Sequence, residues 1–230
     1  MKSIKGSILK ILLISIVISS PVIIISICYR EKRNSTAIKQ LVLPEQGGPP
    51  LVETRAVEFS AQMAIKDAGK ILRGKIFFQN GKIRQEFLDQ WGQTITIVRP
   101  DKKIIWVVLP QMKSYMELPL KEHYPGQFIQ MPPDVLENRL VGTETMSGYM
   151  VYKYEVTVKR GENGIQRQTF WMARQLGVPL KVVVKDRNFS IEYYHIKEGW
   201  MAEGLFDPPS GFKKTTHLIS FFKKGRSSNP

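Results

Sequence analysis

The clearest pattern in the sequence is the alternation of apolar and polar residues that begins near residue 57. Apolar residues occupy every second position of Val57–Lys66, and mostly polar residues lie between them. This period of two is typical of a β-strand with one buried face. Asn80-Gly81 separates two further segments of this kind, Lys70–Gln79 and Lys82–Leu88. Asn-Gly favours the tight turn of a β-hairpin, so these two segments are predicted to pair.

The same reading predicts seven more strands, joined mostly by turns of hairpin length: Gln93–Arg99, Ile104–Leu109, Ser114–Leu118, Met150–Lys159, Gln166–Ala173, Leu180–Lys185 and Phe189–Ile196. About ten sequential strands predict a mainly β protein with a single, strongly curved antiparallel sheet. The best helix candidate is Pro133–Arg139, where Asp134 and Glu137 suit a first helical turn. A loop or helix there is expected to cover the open side of the sheet.

An apolar segment precedes the strands. Lys2, Lys5 and Lys10 lead into the uncharged run Ile11–Cys28. As a helix, this run rises about 27 Å, close to the ~30 Å hydrocarbon core of a bilayer. It therefore predicts an N-terminal apolar helix that anchors the chain in the inner membrane, with the domain in the periplasm.

Three alternatives to this anchor stay open. A cleaved signal would secrete the domain, although Ile24 is large for the position three before a cut after Ser26. Lipid modification of Cys28 would need a small residue where Ile27 stands. The basic residues that flank the run nearly balance, so orientation rests on the export-like pattern, and a cytoplasmic domain is the remaining alternative.

These patterns divide the chain into four parts. Residues 1–33 form a signal-anchor segment, and residues 34–53 form a linker rich in Gly and Pro at its end. Residues 54–214 form the β domain, and residues 215–230 form a basic tail. The tail places lysines around a short apolar patch, which fits either contact with an anionic membrane surface or an ordinary frayed terminus.

The net charge of +14 favours anionic partners, which are phospholipid headgroups or nucleic acid, and it is equally typical of a solvated basic surface. Nucleic-acid-binding sheets place aromatic residues among basic ones on an exposed face. Here the aromatic residues alternate mostly onto the same side as the aliphatic ones, and an export-like segment precedes the domain. We therefore expect no nucleic-acid partner.

Catalytic and metal-binding patterns are scarce. His123, His195 and His217 lie in separate segments, and Cys28 is the sole cysteine. The sequence has no CxxC, HExxH or GxSxG motif and no glycine-rich phosphate loop. We therefore expect a non-enzyme with no catalytic residues, no metal and no cofactor.

An apolar ligand is the more informative hypothesis. Nine aromatic and methionine residues are candidates for one concave, ligand-binding face: Phe59, Met63, Phe77, Trp106, Met116, Tyr152, Tyr154, Phe170 and Met172. The plain alternative is an ordinary sheet core. The shortage of helices to cover so much sheet favours a face that is free to meet the acyl chains of a lipid.

Several motifs give the chain a family resemblance: Gly74-Lys75-Ile76, Asn80–Glu86, Ile95–Trp106, Tyr115–Glu117, Gly142–Thr145, Gly148-Tyr149, Tyr152–Val156 and Leu205–Phe212. Together they resemble the LolA-like superfamily of outer-membrane lipoprotein-sorting proteins over residues 54–214. The resemblance implies an unclosed half-barrel with a few short helices on its concave side. It also implies an apolar cavity for lipid or lipoprotein acyl chains, and no catalysis.

The chain departs from a soluble carrier in its predicted anchor and its few helices. Both departures favour a tethered binder over a shuttle. The alternative is a protein-interaction or envelope-stress sensor module, which would dock a protein partner on the same concave face. Regulators of envelope stress within the superfamily offer a precedent for sensing.

Overall fold

The computed structural model describes residues 57–89, 92–120, 129, 132, 135–160 and 164–216. The predicted anchor, the linker and most of the basic tail lie outside these residues. No helix within the described residues is long and apolar enough to span a membrane.

The described chain is built almost entirely of strands, and each of the ten predicted strands is confirmed. The strands are β1 (Phe59–Asp67), β2 (Lys70–Gln79), β3 (Lys82–Asp89), β4 (Gly92–Arg99), β5 (Ile104–Leu109), β6 (Ser114–Pro119), β7 (Val135–Met146), β8 (Tyr149–Arg160), β9 (Gly164–Ala173), β10 (Val178–Val184), β11 (Phe189–Glu198) and β12 (Lys213–Lys214).

All twelve strands belong to one sheet, in the order β12-β6-β5-β4-β3-β2-β1-β11-β10-β9-β8-β7. Every neighbouring pair is antiparallel except β12 with β6, which is parallel. The sheet is curved and unclosed, because its edge strands β7 and β12 do not pair with each other. The predicted mainly β, single-sheet architecture is confirmed.

Backbone conformation explains the tight turns. Asn80 and Gly81 both have positive φ, at 50° and 76°, as a type I′ hairpin turn requires. Ser147-Gly148 joins β7 to β8 with the same combination, at 50° and 86°. Glycine adopts this region without steric cost, so these dipeptides fix where each hairpin reverses.

The helix predicted at Pro133–Arg139 is wrong, because β7 begins at Val135 and pairs with β8. The register between these strands shifts twice, between Val135 and Glu137 and again between Leu140 and Gly142. A β-bulge adds a residue to one strand and breaks the period of two. Because of the two bulges, the sequence of β7 does not show the alternation that predicts a strand.

Cross-strand pairing assigns side chains to the two faces of the sheet, since directly opposite residues point to the same side. One row across β1–β5 consists of Phe59, Phe78, Ile83, Val98 and Ile105. We call its side the inner face. A second row across β2–β6, on the other side, consists of Phe77, Arg84, Ile97, Trp106 and Glu117. We call this the outer face.

The helices of the described residues are few and short, as predicted. In the described residues they are four 3₁₀ turns, Pro100–Lys102, Pro110–Met112, Lys185–Arg187 and Glu203–Phe206, and the first three connect strands. The fourth packs through Phe206 against Ile97 and Trp106 of the outer face. This turn therefore lies on the outer face, on the side away from most of the candidate residues.

A segment that we call the C-terminal strap, residues 201–212, covers the outer face. Its Phe206 side chain is fully buried in a cluster with other apolar side chains, namely Ile95, Ile97, Trp106 and Val108. Burial of the Phe206 ring removes apolar surface from water and is the main attraction between strap and sheet.

Two buried arginines fasten the strap. Arg84 Nη1 donates to the Leu205 carbonyl oxygen at 2.9 Å, and Arg99 Nη1 donates to the Phe206 carbonyl oxygen at 3.1 Å. Arg99 also pairs with Asp207 at 2.7 Å and with Asp101 at 2.7 Å. The hydrogen bond from Arg99 lowers the pKa of Asp101 to about 2. The arginine charges are thus compensated where they are buried, as burial of a charge requires.

Replacing Phe206 by alanine tests the strap. The Phe206→Ala protein is expected to lose about 3 kcal/mol of unfolding free energy, because a buried ring is removed and a cavity remains. Urea unfolding followed by circular dichroism measures this change. Trp200→Ala is the control, since Trp200 is 71% exposed and its loss should change stability by less than about 0.5 kcal/mol. Equal stability of both variants would contradict the packing role of the strap.

Candidate functional site

The inner face is the candidate site, because it brings together most of the candidate residues. Six of the nine lie in or against one apolar cluster on this face: Phe59, Met63, Tyr152, Tyr154, Phe170 and Met172. Met116 lies on the same face and packs against Val107 in a smaller cluster near the β6 edge. Alternation within β1, β8 and β9 directs these side chains to one side of the sheet.

Phe77 and Trp106 are not brought together with the other seven. Both belong to the outer face, where they pack with the strap around Phe206. Trp106 Nε1 donates to Glu117 at 3.0 Å, and Lys102 Nζ lies 5.0 Å from its ring centre. A shift of one residue along a strand moves a side chain to the opposite face, and only the cross-strand register shows which face it occupies.

Packing on the inner face is dense at its centre. The rings of Phe59 and Phe78 stack with their centres 5.7 Å apart. Met63 lies opposite Tyr193 on the neighbouring strand, and both side chains are fully buried. Stacked rings and thioethers in contact with rings add dispersion to simple burial. A ligand on this face would therefore have to replace some of these side-chain contacts.

Tyr193 is a residue that the sequence reading missed. Its hydroxyl is buried and has no hydrogen-bond partner in the described structure. Burial raises the pKa of this hydroxyl well above its ordinary value, so the group stays neutral. A buried hydroxyl without a hydrogen-bond partner lowers the stability of the fold. Its position on an apolar face marks a place where a polar atom of a ligand could form a hydrogen bond. Alternation with Ile191 along β11 was the available signal for its burial.

Three further polar side chains interrupt the apolar surface of the inner face. Gln85, Thr94 and Thr96 lie on β3 and β4 and are almost completely buried. Gln85 and Thr96 are directly opposite each other, in the row that begins at Ile76. Amide and hydroxyl groups can donate and accept hydrogen bonds. The inner face therefore combines a broad apolar area with a few neutral polar groups.

Three further features of the described residues bear on chemistry: the metal-ligating residue types, His195 and a polar groove. They contain no group of three or more His, Cys, Asp or Glu that could hold a metal ion. His195 lies exposed at a bulge in β11, with a φ of 52°. A groove of about 520 Å³ lies where β7, β8 and β9 meet the turn Lys185–Arg187, and acidic, basic and neutral polar side chains line most of it. It contains none of the nine candidate residues.

Comparison with known families gives one decisive match. The domain of unknown function DUF4412 matches residues 60–178, which is just over half of the 230-residue chain. The chain belongs to the DUF4412 family. The match covers β1–β9, which are nine of the twelve strands of the described sheet. No curated protein matches this DUF4412 protein at a significant level.

Solved structures with similar folds include an uncharacterized conserved protein from Thermus thermophilus. It is 14% identical, with a TM-score of 0.47, and the match covers 70% of this chain and 90% of that one. A chain of the MucA/MucB complex from Pseudomonas aeruginosa is 14% identical, with a TM-score of 0.45 and coverage of 66% and 56%. The DUF4412 protein thus spans little more than half the length of that second chain.

A LolA superfamily protein from Nitrosomonas europaea is also among the structural neighbours. It is 13% identical, with a TM-score of 0.36, and the match covers 67% of this chain and 92% of that one. The neighbours therefore include the superfamily that the sequence motifs indicated. At these identities and scores the likeness assigns no ligand to the DUF4412 protein.

Gly74 tests the packing of the inner face. It lies opposite Phe87, and a Cβ at this position would be 2.7 Å from Phe87 Cδ1 and would also clash with the Glu86 carbonyl oxygen. Gly74→Ala is therefore expected to lower the unfolding free energy by about 1–3 kcal/mol. Gly142→Ala is the control, because a Cβ there meets nothing within 4 Å. Urea unfolding measures both, and a neutral Gly74→Ala would contradict the close packing.

Removal of the Tyr193 hydroxyl should stabilise the protein. In Tyr193→Phe the unpartnered group is lost and the ring is kept, so the unfolding free energy is expected to rise by about 1 kcal/mol or more. The neighbouring Tyr194→Phe is the control, since Tyr194 is only partly buried. Thermal and urea unfolding give the comparison. A destabilised Tyr193→Phe protein would show that the hydroxyl has a partner in solution.

Proposed function

We propose that this DUF4412 protein is a non-catalytic envelope protein that binds the acyl chain of a lipid or lipoprotein on its inner face. The domain acts in the periplasm, and the apolar run at residues 11–28 tethers it to the inner membrane. The carrying observation is the collection of seven of the nine candidate side chains on one face of an unclosed sheet.

The residue types on this face suit an acyl chain. Aromatic rings and methionines present apolar, polarisable surface, and methionine side chains adapt to partners of varied shape. Met172 and Tyr152 are directly opposite each other and only partly buried, so they belong to the accessible part of the cluster. An acyl chain would enter beside these two residues and displace neighbouring side chains from one another.

The difference in coverage between the two faces of the sheet supports the same proposal. The strap already covers the outer face of β2–β6, where Arg84 and Arg99 hold it, whereas the inner face carries the larger apolar cluster. Binding on the inner face would extend a cluster that the fold already contains. The neutral polar groups Gln85, Thr94 and Thr96 could meet a carbonyl or hydroxyl group of the ligand.

Lipid binding is tested on the full-length protein, purified from cells and extracted with organic solvent. Mass spectrometry should find co-purifying acylated molecules, and a fluorescent fatty acid should bind to the delipidated protein. Met172→Gln is expected to weaken fatty-acid binding about tenfold, because roughly 1–2 kcal/mol of apolar contact is lost. Met112→Gln is the matched control, since Met112 is 38% exposed and lies in the turn Pro110–Met112, outside the inner-face cluster.

The proposal would be contradicted if no lipid co-purified with the protein and the delipidated protein bound no fatty acid. Crosslinking in cells separates it from the alternative of a sensor module. A single specific protein adduct from an inner-face crosslinker, without lipid in the extract, would favour docking of a protein partner.

A further inference from the structure

The turns of the sheet separate into two ends, because consecutive antiparallel strands reverse direction. We call the end where β1 finishes the upper rim. The turns at residues 67–70, 109–114 and 184–189 belong to it, as the pairs Asp67–Phe189 and Leu109–Ser114 show. The opposite end, the lower rim, contains the turns at residues 79–82 and 146–149.

Exposed apolar side chains concentrate at the upper rim. Among the described residues eight large apolar side chains are exposed, and five of them lie at the upper-rim end of a strand or in the turn at residues 109–114: Ile71, Leu88, Met112, Leu136 and Ile165. Each is between 38% and 73% exposed. These five residues come from separate strands and turns and are far apart in the sequence. Single exposed apolar residues are common on protein surfaces. Five of them at one rim of the sheet are typical of an interaction surface.

Basic side chains surround these apolar ones. The exposed upper-rim cations are Lys66, Lys70, Lys113, Lys159, Lys185 and Arg187. None of the six makes an ion pair with another described residue. The described acidic residues in the same turns are Asp67, Asp89 and Asp186. Positive charge is therefore in excess at this rim.

The lower rim is closer to neutral. Its cations Lys82, Arg99 and Lys102 are paired with carboxylates of the strap or of the adjoining turn. Lys103 and Arg174 are the exposed exceptions in its turns. The strap thus neutralises much of the basic charge at one end of the described sheet. At the other end the Glu155 carboxylate lies near Lys185, but none of the six cations is within ion-pair distance of a described carboxylate. Solvation of a generally basic protein does not explain this difference between the two ends.

We infer that the upper rim is a membrane-contact surface that docks on an anionic phospholipid bilayer. Apolar side chains at turn tips can enter the boundary between headgroups and acyl chains, while lysines beside them meet lipid phosphates. Each such cation near an anionic bilayer strengthens binding about fivefold. This surface is distinct from the inner-face ligand site and does not depend on which ligand that site binds.

Site-specific fluorescence on the full-length protein tests the surface. In a Cys28→Ser background, an environment-sensitive dye is attached at Leu88→Cys or Ile165→Cys on the upper rim, or at Trp200→Cys near the lower rim, where Trp200 is 71% exposed. The protein is then mixed with vesicles of phosphatidylcholine, either alone or with phosphatidylglycerol. The upper-rim dyes are expected to shift to the blue with phosphatidylglycerol vesicles only, and the lower-rim dye is expected to stay unchanged.

A charge variant adds a second arm. Lys70→Gln in the Leu88→Cys protein should lower the equilibrium constant for insertion of the dye about fivefold, and high salt should reduce insertion further. Lys197→Gln is the matched control, because Lys197 is exposed and lies near the lower rim. Fatty-acid binding is measured on the same labelled proteins and should not change, so that failure here is separable from failure of the proposed function.

Three results would overturn the inference. The first is an equal response of upper-rim and lower-rim dyes, and the second is an equal response to vesicles with and without phosphatidylglycerol. The third is a blue shift that grows with protein concentration in the absence of vesicles, which would indicate contact between copies of the chain. The circular dichroism of each labelled variant confirms that it is folded before the comparison.

Discussion

The pairing of β1 with β11 holds the rest of the structure together. β1 is the first strand in the chain, yet it lies in the middle of the sheet, with β2 on one side and β11 on the other. The strands β1–β6 and β7–β11 are each a run of sequential neighbours, and only this pair connects the two runs. Because it joins residues more than 120 positions apart, closing it costs entropy before any contact is gained. Phe59, Met63 and Tyr193, all fully buried beside it, supply the compensating apolar burial.

The sequence predicted the local part of this arrangement well. Alternation and turn residues such as Asn80-Gly81 act over a few positions, so ten strands and their hairpins could be read directly. Strand β7 could not be predicted from the sequence, since its two bulges break the alternation. Strand β12 could not be predicted either, because Lys213-Lys214 shows no alternation of apolar and polar residues. It pairs with β6 only because the strap places it there.

The candidate site was predictable in kind and less so in detail. Residue type and period identified an aromatic and methionine face, and seven of nine residues share it. Phe77 and Trp106 were misplaced because assignment to a face depends on the register between strands, which alternation within one strand does not contain. Tyr193 was missed because a single hydroxyl on an apolar strand resembles its neighbours until the absence of a hydrogen-bond partner in the described structure is seen.

The strap also has a consequence for the life of the chain in the cell. It is synthesised after all the strands that it covers, because Ile95, Ile97, Trp106 and Val108 precede it by about a hundred residues. A chain cut short before Met201 would leave these side chains open to water, along with the two arginines that the strap carbonyls now satisfy. Surfaces of that kind attract chaperones and proteases. We therefore expect a chain that ends before the strap to be degraded faster than a chain that includes it.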